Sequence, residues 1–206
     1  MNTTEVFRPV SGLWMTGVVA ALAAFGLVSL VLAGRPQDLL RYGPLLLLIA
    51  AVVWAMFWRP SVTISDAGVT LRNVLRSVDL PWPSIRRIDT RYALTLETAY
   101  GTYTAWAAPS SGRRRSDETV PSDLTGLPES TYGAGASVRP GDLPSAPSGQ
   151  AAALVRRRWE QLRDAGHLDD PRLERDRAAV RWHWPVVALL AGLAVATVAG
   201  FLLTHG

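Results

Sequence analysis

Very little in this sequence can make or break bonds, and what there is lies scattered. His167, His183 and His205 are the three histidines. His205 follows the last apolar stretch, His183 stands between Trp182 and Trp184, and His167 follows a glycine that reads as a helix stop. Their spacing assembles neither a metal ligand set nor a catalytic triad. Asp169 and Asp170 precede Pro171 in the pattern of a helix cap. No Gly-x-Ser-x-Gly elbow occurs, and Gly133 and Gly135 lack the third glycine and the preceding strand of a nucleotide loop. The chain has no Cys and no Lys, for all 21 of its basic residues are Arg. Thiol nucleophiles, zinc-thiolate and iron-sulfur sites, disulfides, P-loop phosphate binding and lysine Schiff bases are thereby excluded. The expectation is a protein without catalytic residues, metal or cofactor.

Arginine remains, and its planar fork suits phosphate oxygens. Arg72, Arg76, Arg86, Arg87 and Arg91 recur closely enough for several to share one rim, and Arg113 to Arg115 and Arg156 to Arg158 form two dense clusters. Arg72, Arg76, Arg86, Arg87, Arg91, Arg156, Arg157 and Arg158 are therefore the candidate lipid-binding residues. Dilution argues against a strong field: residues 59–183 hold 18 Arg but also 15 acidic residues, Asp79 and Asp89 among them. That balance disfavours nucleic acid and supports at most salt-sensitive attraction to anionic phospholipid.

The elements that must position these residues are dominated by apolar stretches. Of 206 residues 49% are hydrophobic and 18% charged, and the mean hydropathy of +0.15 is high for a soluble domain. Gly12–Gly34, Tyr42–Trp58 and Trp184–Thr204 carry no charge and are 23, 17 and 21 residues long. At about 1.5 Å per helical residue the first and third are comfortable spans of a hydrocarbon core of about 30 Å, and the second is near the lower limit. Trp14, Tyr42, Trp54, Trp58, Trp182 and Trp184 lie at or near their ends, where amphipathic rings favour the headgroup region. Pro44 suits the first turn of the second helix. The first stretch exceeds the apolar core of a cleaved signal peptide, so three spans are expected. Arg172, Arg175, Arg177 and Arg181 crowd the near side of the third span and no Arg follows it, which places residues 59–183 in the cytoplasm of a multi-pass plasma-membrane protein. Arg35 and Arg41 in the short loop between the first two spans pull the other way, less strongly.

Between the second and third spans the composition changes three times. From Pro60 to Ala107 apolar and polar residues alternate, as in Val62 and Ile64, Val69 and Leu71, Val78 and Leu80, and Tyr92, Leu94 and Leu96, which predicts about six short antiparallel strands. Turns are expected at Asp66-Ala67-Gly68, around Asn73 and at Tyr100-Gly101. The segment Pro81-Trp82-Pro83-Ser84-Ile85 breaks the alternation, and the spacing of Trp82, Ile85 and Ile88 predicts one helical turn with Trp82 packed under the sheet. Residues 108–149 are rich in Pro, Gly and Ser, show no sustained apolar face and read as a long loop or linker, expected to be mobile unless it is docked and functional. Helical periodicity returns over 150–166, where Val155, Trp159 and Leu162 form one stripe and Gly166 is the stop. Residues 167–183 are juxtamembrane, and Arg172–Arg181 can continue as helix into the third span. The structural core is expected around Trp82, Ile85, Trp159 and Leu162.

The stretch from Thr63 through Gly68, Arg72-Asn73 and Leu75-Arg76, followed by Leu80-Pro81-Trp82-Pro83-Ser84-Ile85, resembles the bacterial PH-like domain family. More narrowly, it is similar to the actinobacterial membrane proteins that carry the low molecular weight protein antigen 6 domain. Gly68 and Arg72-Asn73 match the first hairpin, Leu75-Arg76 its far side, and Pro81-Trp82 with Ile85 the turn into the next strand. The resemblance covers residues 60–107 and implies a fold and no chemistry: an α+β membrane protein whose PH-like antiparallel β-sandwich is closed by the 150–165 helix. It implies a membrane-anchored interaction or scaffold module that presents a cytoplasmic domain to a protein partner, with binding of anionic lipid headgroups as the alternative.

Overall fold

A computed structural model describes residues 4–110, 127–132, 138–168 and 176–204. The chain divides into two units, one of residues 1–9 and 60–181, the other of residues 10–59 and 182–206.

The second unit holds three apolar helices, α1 (Val10–Leu32), α2 (Pro36–Val53) and α4 (Trp184–Leu203). A π-helical turn, Trp54–Trp58, extends α2. With that turn counted, all three are long and apolar enough to cross a membrane. They associate where small residues let backbones approach: Gly12 of α1 lies against the Phe57 carbonyl and Gly200 of α4 against the Leu40 carbonyl. Pro44 does not open α2, as its position in the sequence predicts. Pro36 takes that place and Pro44 lies inside the helix. Having no N–H, Pro44 leaves the Leu40 carbonyl without a helical donor, and Gly200 packs against that same oxygen. Asp38 and Arg41 consequently belong to the first two turns of α2, where the Arg41 guanidinium lies 5.5 Å from the Tyr42 ring centre and 5.1 Å from that of Phe201.

The first unit is the expected antiparallel sandwich. β2 (Ser61–Ile64), β3 (Gly68–Arg72) and β4 (Arg76–Pro81) form two hairpins, and β5 (Ile85–Asp89), β6 (Ala93–Thr98) and β7 (Gly101–Pro109) form a second meander. The alternating residues Val62, Ile64, Val69, Leu71, Val78, Leu80, Leu94 and Leu96 are buried in one core with Phe7, Trp82 and Ile85. Tyr92, in phase with them, is 81% exposed. It belongs to the turn before β6, so the pleat does not constrain it. The three-residue spacing of Trp82, Ile85 and Ile88 is helical for a single 3₁₀ turn, Trp82–Ser84, and β5 then begins at Ile85.

Two strands enter the first sheet that the sequence pattern does not reveal. β1 (Glu5–Phe7) pairs antiparallel with β2, and β8 (Ala179–Trp182) lies beside β4, giving the order β1-β2-β3-β4-β8. The segment before the third span therefore does not run on as helix. It is extended through Trp182, and α4 starts at Trp184 with Pro185 in its first turn. The reason is tertiary: the β4 edge supplies hydrogen-bond partners, and Asp79 of β4 binds Arg181 at 3.0 Å.

α3 (Pro147–Asp164) closes the sandwich. Pro147 opens it three residues ahead of the apolar periodicity, and Gly166, at φ 74°, ends it. Ala151, Ala152 and Val155 are buried against the strands, and Trp159 and Leu162 pack on the same core. The Pro/Gly/Ser-rich segment ahead of α3 is docked wherever it is described. Leu143 and Ala146 are buried, a 3₁₀ turn spans Pro140–Asp142, and Gly141 lies so close to the Thr90 carbonyl that a Cβ would overlap it. Arg113 to Arg115, Gly133 and Gly135 lie outside the described residues, as do Asp169 to Arg175 and His205.

Candidate interaction cleft

The cleft of this domain is at the end of the sandwich where the β2–β3, β4–β5 and β6–β7 connections meet. Ser65, Ala67 and Gly68 form one side, Leu80, Pro81 and Pro83 another, and Tyr100 a third, with Arg177 and Ala179 at the mouth and a volume of about 420 Å³. The turn is tightly built. Ser65 and Gly68 exchange backbone hydrogen bonds of 3.0 and 3.3 Å, and the Ser65 hydroxyl adds a third to the Gly68 carbonyl. Gly68 is required because a Cβ would overlap the Leu80 carbonyl and the Pro81 backbone. Trp82 fixes the turn from below, its indole N–H donating to the Ser65 carbonyl at 2.9 Å. Asp66 on the outside binds Arg158 of α3.

The cleft wall is mostly apolar, from Ala67, Val69, Leu80, Pro81, Pro83 and Ala179. Its polar groups are largely committed: Asp79 accepts from the Thr70 hydroxyl at 2.7 Å and binds Arg181. The Tyr100 hydroxyl is enclosed and has no hydrogen-bond partner among the described residues. An apolar trough of this kind can bind the apolar side chains of a segment laid into it. Among the described residues no three His, Asp or Glu side chains are grouped to hold a metal.

The eight candidate arginines do not share one face. Arg72 and Arg76 flank the β3–β4 turn, whereas Arg86 and Arg87 stand at the start of β5 with Arg87 3.9 Å from Glu97. Arg91 is exposed in the β5–β6 turn, and Arg157 on α3. Arg158 is engaged by Asp66. Arg156 is no surface cation at all: it is 5% exposed and bonds Asp142 at 2.6 Å, with further bonds to the Ile88 carbonyl and the Thr131 hydroxyl. Asp142 also accepts from the Thr90 hydroxyl at 2.6 Å, and nearby Arg139 pairs with Asp89 at 2.7 Å. This network, which pins the segment before α3 onto β5, was not anticipated from sequence. Its one signal is Asp142 itself, the single acidic residue between Glu129 and Glu160. Tyr100 was anticipated only as a turn residue.

A family model of the bacterial PH domain matches residues 59–165, just over half of the chain and the whole sandwich from β2 through α3. The chain belongs to the bacterial PH domain family. The match does not extend to the narrower antigen 6 grouping. No curated protein and no solved structure matches the chain. β1, β8 and the three apolar helices lie outside the matched residues. A PH-like domain points to an interaction or scaffold module, and the three apolar helices point to a membrane protein.

Proposed function

We propose that this bacterial PH domain protein is a membrane-anchored interaction module without catalytic activity, which offers the Ser65–Tyr100 cleft to a segment of a protein partner in the cytoplasm. The observation that carries the reading is the cleft with its apolar walls. The fold supports it by what it closes off, because both edges of the β2–β3–β4 sheet are occupied by the chain's own β1 and β8. Strand addition at those edges is therefore disfavoured relative to binding in the cleft. The pairing of β1 with β2 supports a crossing hairpin of α1 and α2, since residues 5–7 and 61–64 must share one side of the membrane. With the arginine bias before α4, that side is the cytoplasm.

The test is capture by the full chain after mild detergent extraction, combined with a photo-crosslinking residue at the exposed Ala67. A protein that both co-purifies and crosslinks at Ala67, and is lost on Ala67→Arg but not on Arg157→Glu, is expected. Identical capture by wild type and Ala67→Arg would sink the reading. The lipid alternative, with the eight arginines acting together, is weakened by their dispersal and by the burial of Arg156.

A further inference from the structure

The register of the first sheet brings one set of residues to a single end. Phe7 pairs with Val62, Ser61 with Arg72 and Arg72 with Ser77. That end therefore holds the exit of β1, the entry of β2 and the β3–β4 turn, residues 73–75. Arg8 and Pro9 alone separate β1 from α1, and Arg59 and Pro60 alone separate the Trp54–Trp58 turn from β2. β8 points the same way. Arg177 and Ala179 lie with Pro81 and Gly68 at the cleft end, Arg181 binds Asp79 further along β4, and α4 follows after Trp182 and His183. All three passages between the sheet and the apolar helices thus leave from the end opposite the cleft.

The chemistry at that end is unusual for a surface in water. Leu75 at the turn is 40% exposed and Trp106 of β7 is 51% exposed. They are held by one clamp: Asn73 closes the turn by donating its backbone N–H to the Arg76 carbonyl, and its side chain donates to the Thr104 carbonyl and accepts from the Trp106 N–H. Arg72 and Arg76 flank them, and no ion pair engages either among the described residues. Between residues 59 and 78 the one acidic residue is Asp66, which sits at the cleft end, and β7 has none. An exposed Leu and Trp beside two Arg that no described ion pair engages, with the neighbouring Asp79 held by Thr70 and Arg181, match the transition from acyl chain to anionic headgroup.

We infer that the Arg72–Arg76 turn and Trp106 rest in the headgroup layer of the bilayer that holds the apolar helices, with Leu75 and Trp106 as apolar contacts and Arg72 and Arg76 on anionic lipid phosphates. This rests on the membrane-crossing part of the proposed function and does not depend on the protein partner.

The chain has no Cys, so single-cysteine variants give unique labelling sites. Full-length Leu75→Cys, Ala67→Cys and Val195→Cys, each carrying an environment-sensitive fluorophore, are reconstituted into phosphatidylcholine vesicles with and without phosphatidylglycerol, containing spin-labelled lipids. Quenching is expected at Val195 and Leu75 and to be absent at Ala67, with Leu75 quenched more strongly when phosphatidylglycerol is present. Adding Arg72→Glu and Arg76→Glu to Leu75→Cys should remove that increase. A quenched Val195 with an unquenched Leu75 would overturn the inference while leaving the crossing helices in place. An unquenched Val195 would remove the crossing helices and the inference together. Quenching at Leu75 that is indifferent to phosphatidylglycerol and to charge reversal would overturn the role given to Arg72 and Arg76.

Discussion

Arg156 and Asp142 show how a residue's position in the fold can reverse its apparent purpose. In sequence Arg156 belongs to a run of three arginines that resembles an anion-binding cluster, yet its guanidinium is enclosed and shares Asp142 with Thr90. Removing one partner of a buried pair leaves the other charge without compensation, a cost of about 3–5 kcal/mol, whereas replacing the whole set by apolar residues of like volume is often close to neutral. Asp142→Ala should therefore destabilise the domain by about that amount, and the triple change Arg156→Met, Asp142→Leu, Thr90→Val should recover most of it. Pulse proteolysis of the full chain in detergent measures both, and equal losses in the two variants would contradict the account. Trp82 is the opposite kind of residue, legible from its flanking prolines and found where they put it. Trp82→Ala should cost about 3–5 kcal/mol by cavity formation and loss of the bond to the Ser65 carbonyl. An unchanged proteolysis midpoint would remove Trp82 from the core. No apolar stripe marks Asp142, because its partners stand 14 and 52 residues away.

Among elements, the segment before α3 is the clearest difference between pattern and structure. Apolar periodicity is the signal for order, and this segment has none, since it is held by polar bonds and by glycines that allow backbone to touch backbone. Ser148 donates to the Gly141 carbonyl at 2.6 Å, and Arg139 reaches Asp89. The folded full chain should accordingly resist trypsin at Arg139, and Asp142→Ala should open that bond to cleavage while Arg76 in the sheet stays intact. Cleavage at Arg139 at the same rate in both forms would show that the segment is not held by the network. β1 and β8 are unreadable for another reason. Strands of three and four residues carry too little alternation to stand out, and the edges of β2 and β4 decide their conformation. Val6→Pro removes a donor from the short β1 strand, opposite Thr63, and should increase hydrogen exchange in β2 more than in β6. Uniform exchange across both sheets would argue that β1 does not protect the edge.

For the whole molecule, the arginine asymmetry before α4 and the pairing of β1 with β2 make one prediction about topology. A Cys replacing Gly206 should react with an impermeant thiol reagent in intact cells, and one replacing the exposed Gln150 should not. The reverse pattern would invert the molecule. The sequence by itself determined the three apolar helices, the alternating strands of the sandwich, the Trp82 turn and the closing helix. Each of these is a local periodicity imposed by one dominant gradient, the transfer of apolar surface from water to bilayer or core. The tertiary structure alone reveals which of the described arginines are buried and which are exposed, that residues 138–146 ahead of α3 are docked, and that three chain passages leave one end of the sheet while the cleft opens at the other. Those features rest on hydrogen bonds, ion pairs and strand register between residues far apart in the chain, where the spacing along the sequence carries no record of the partner.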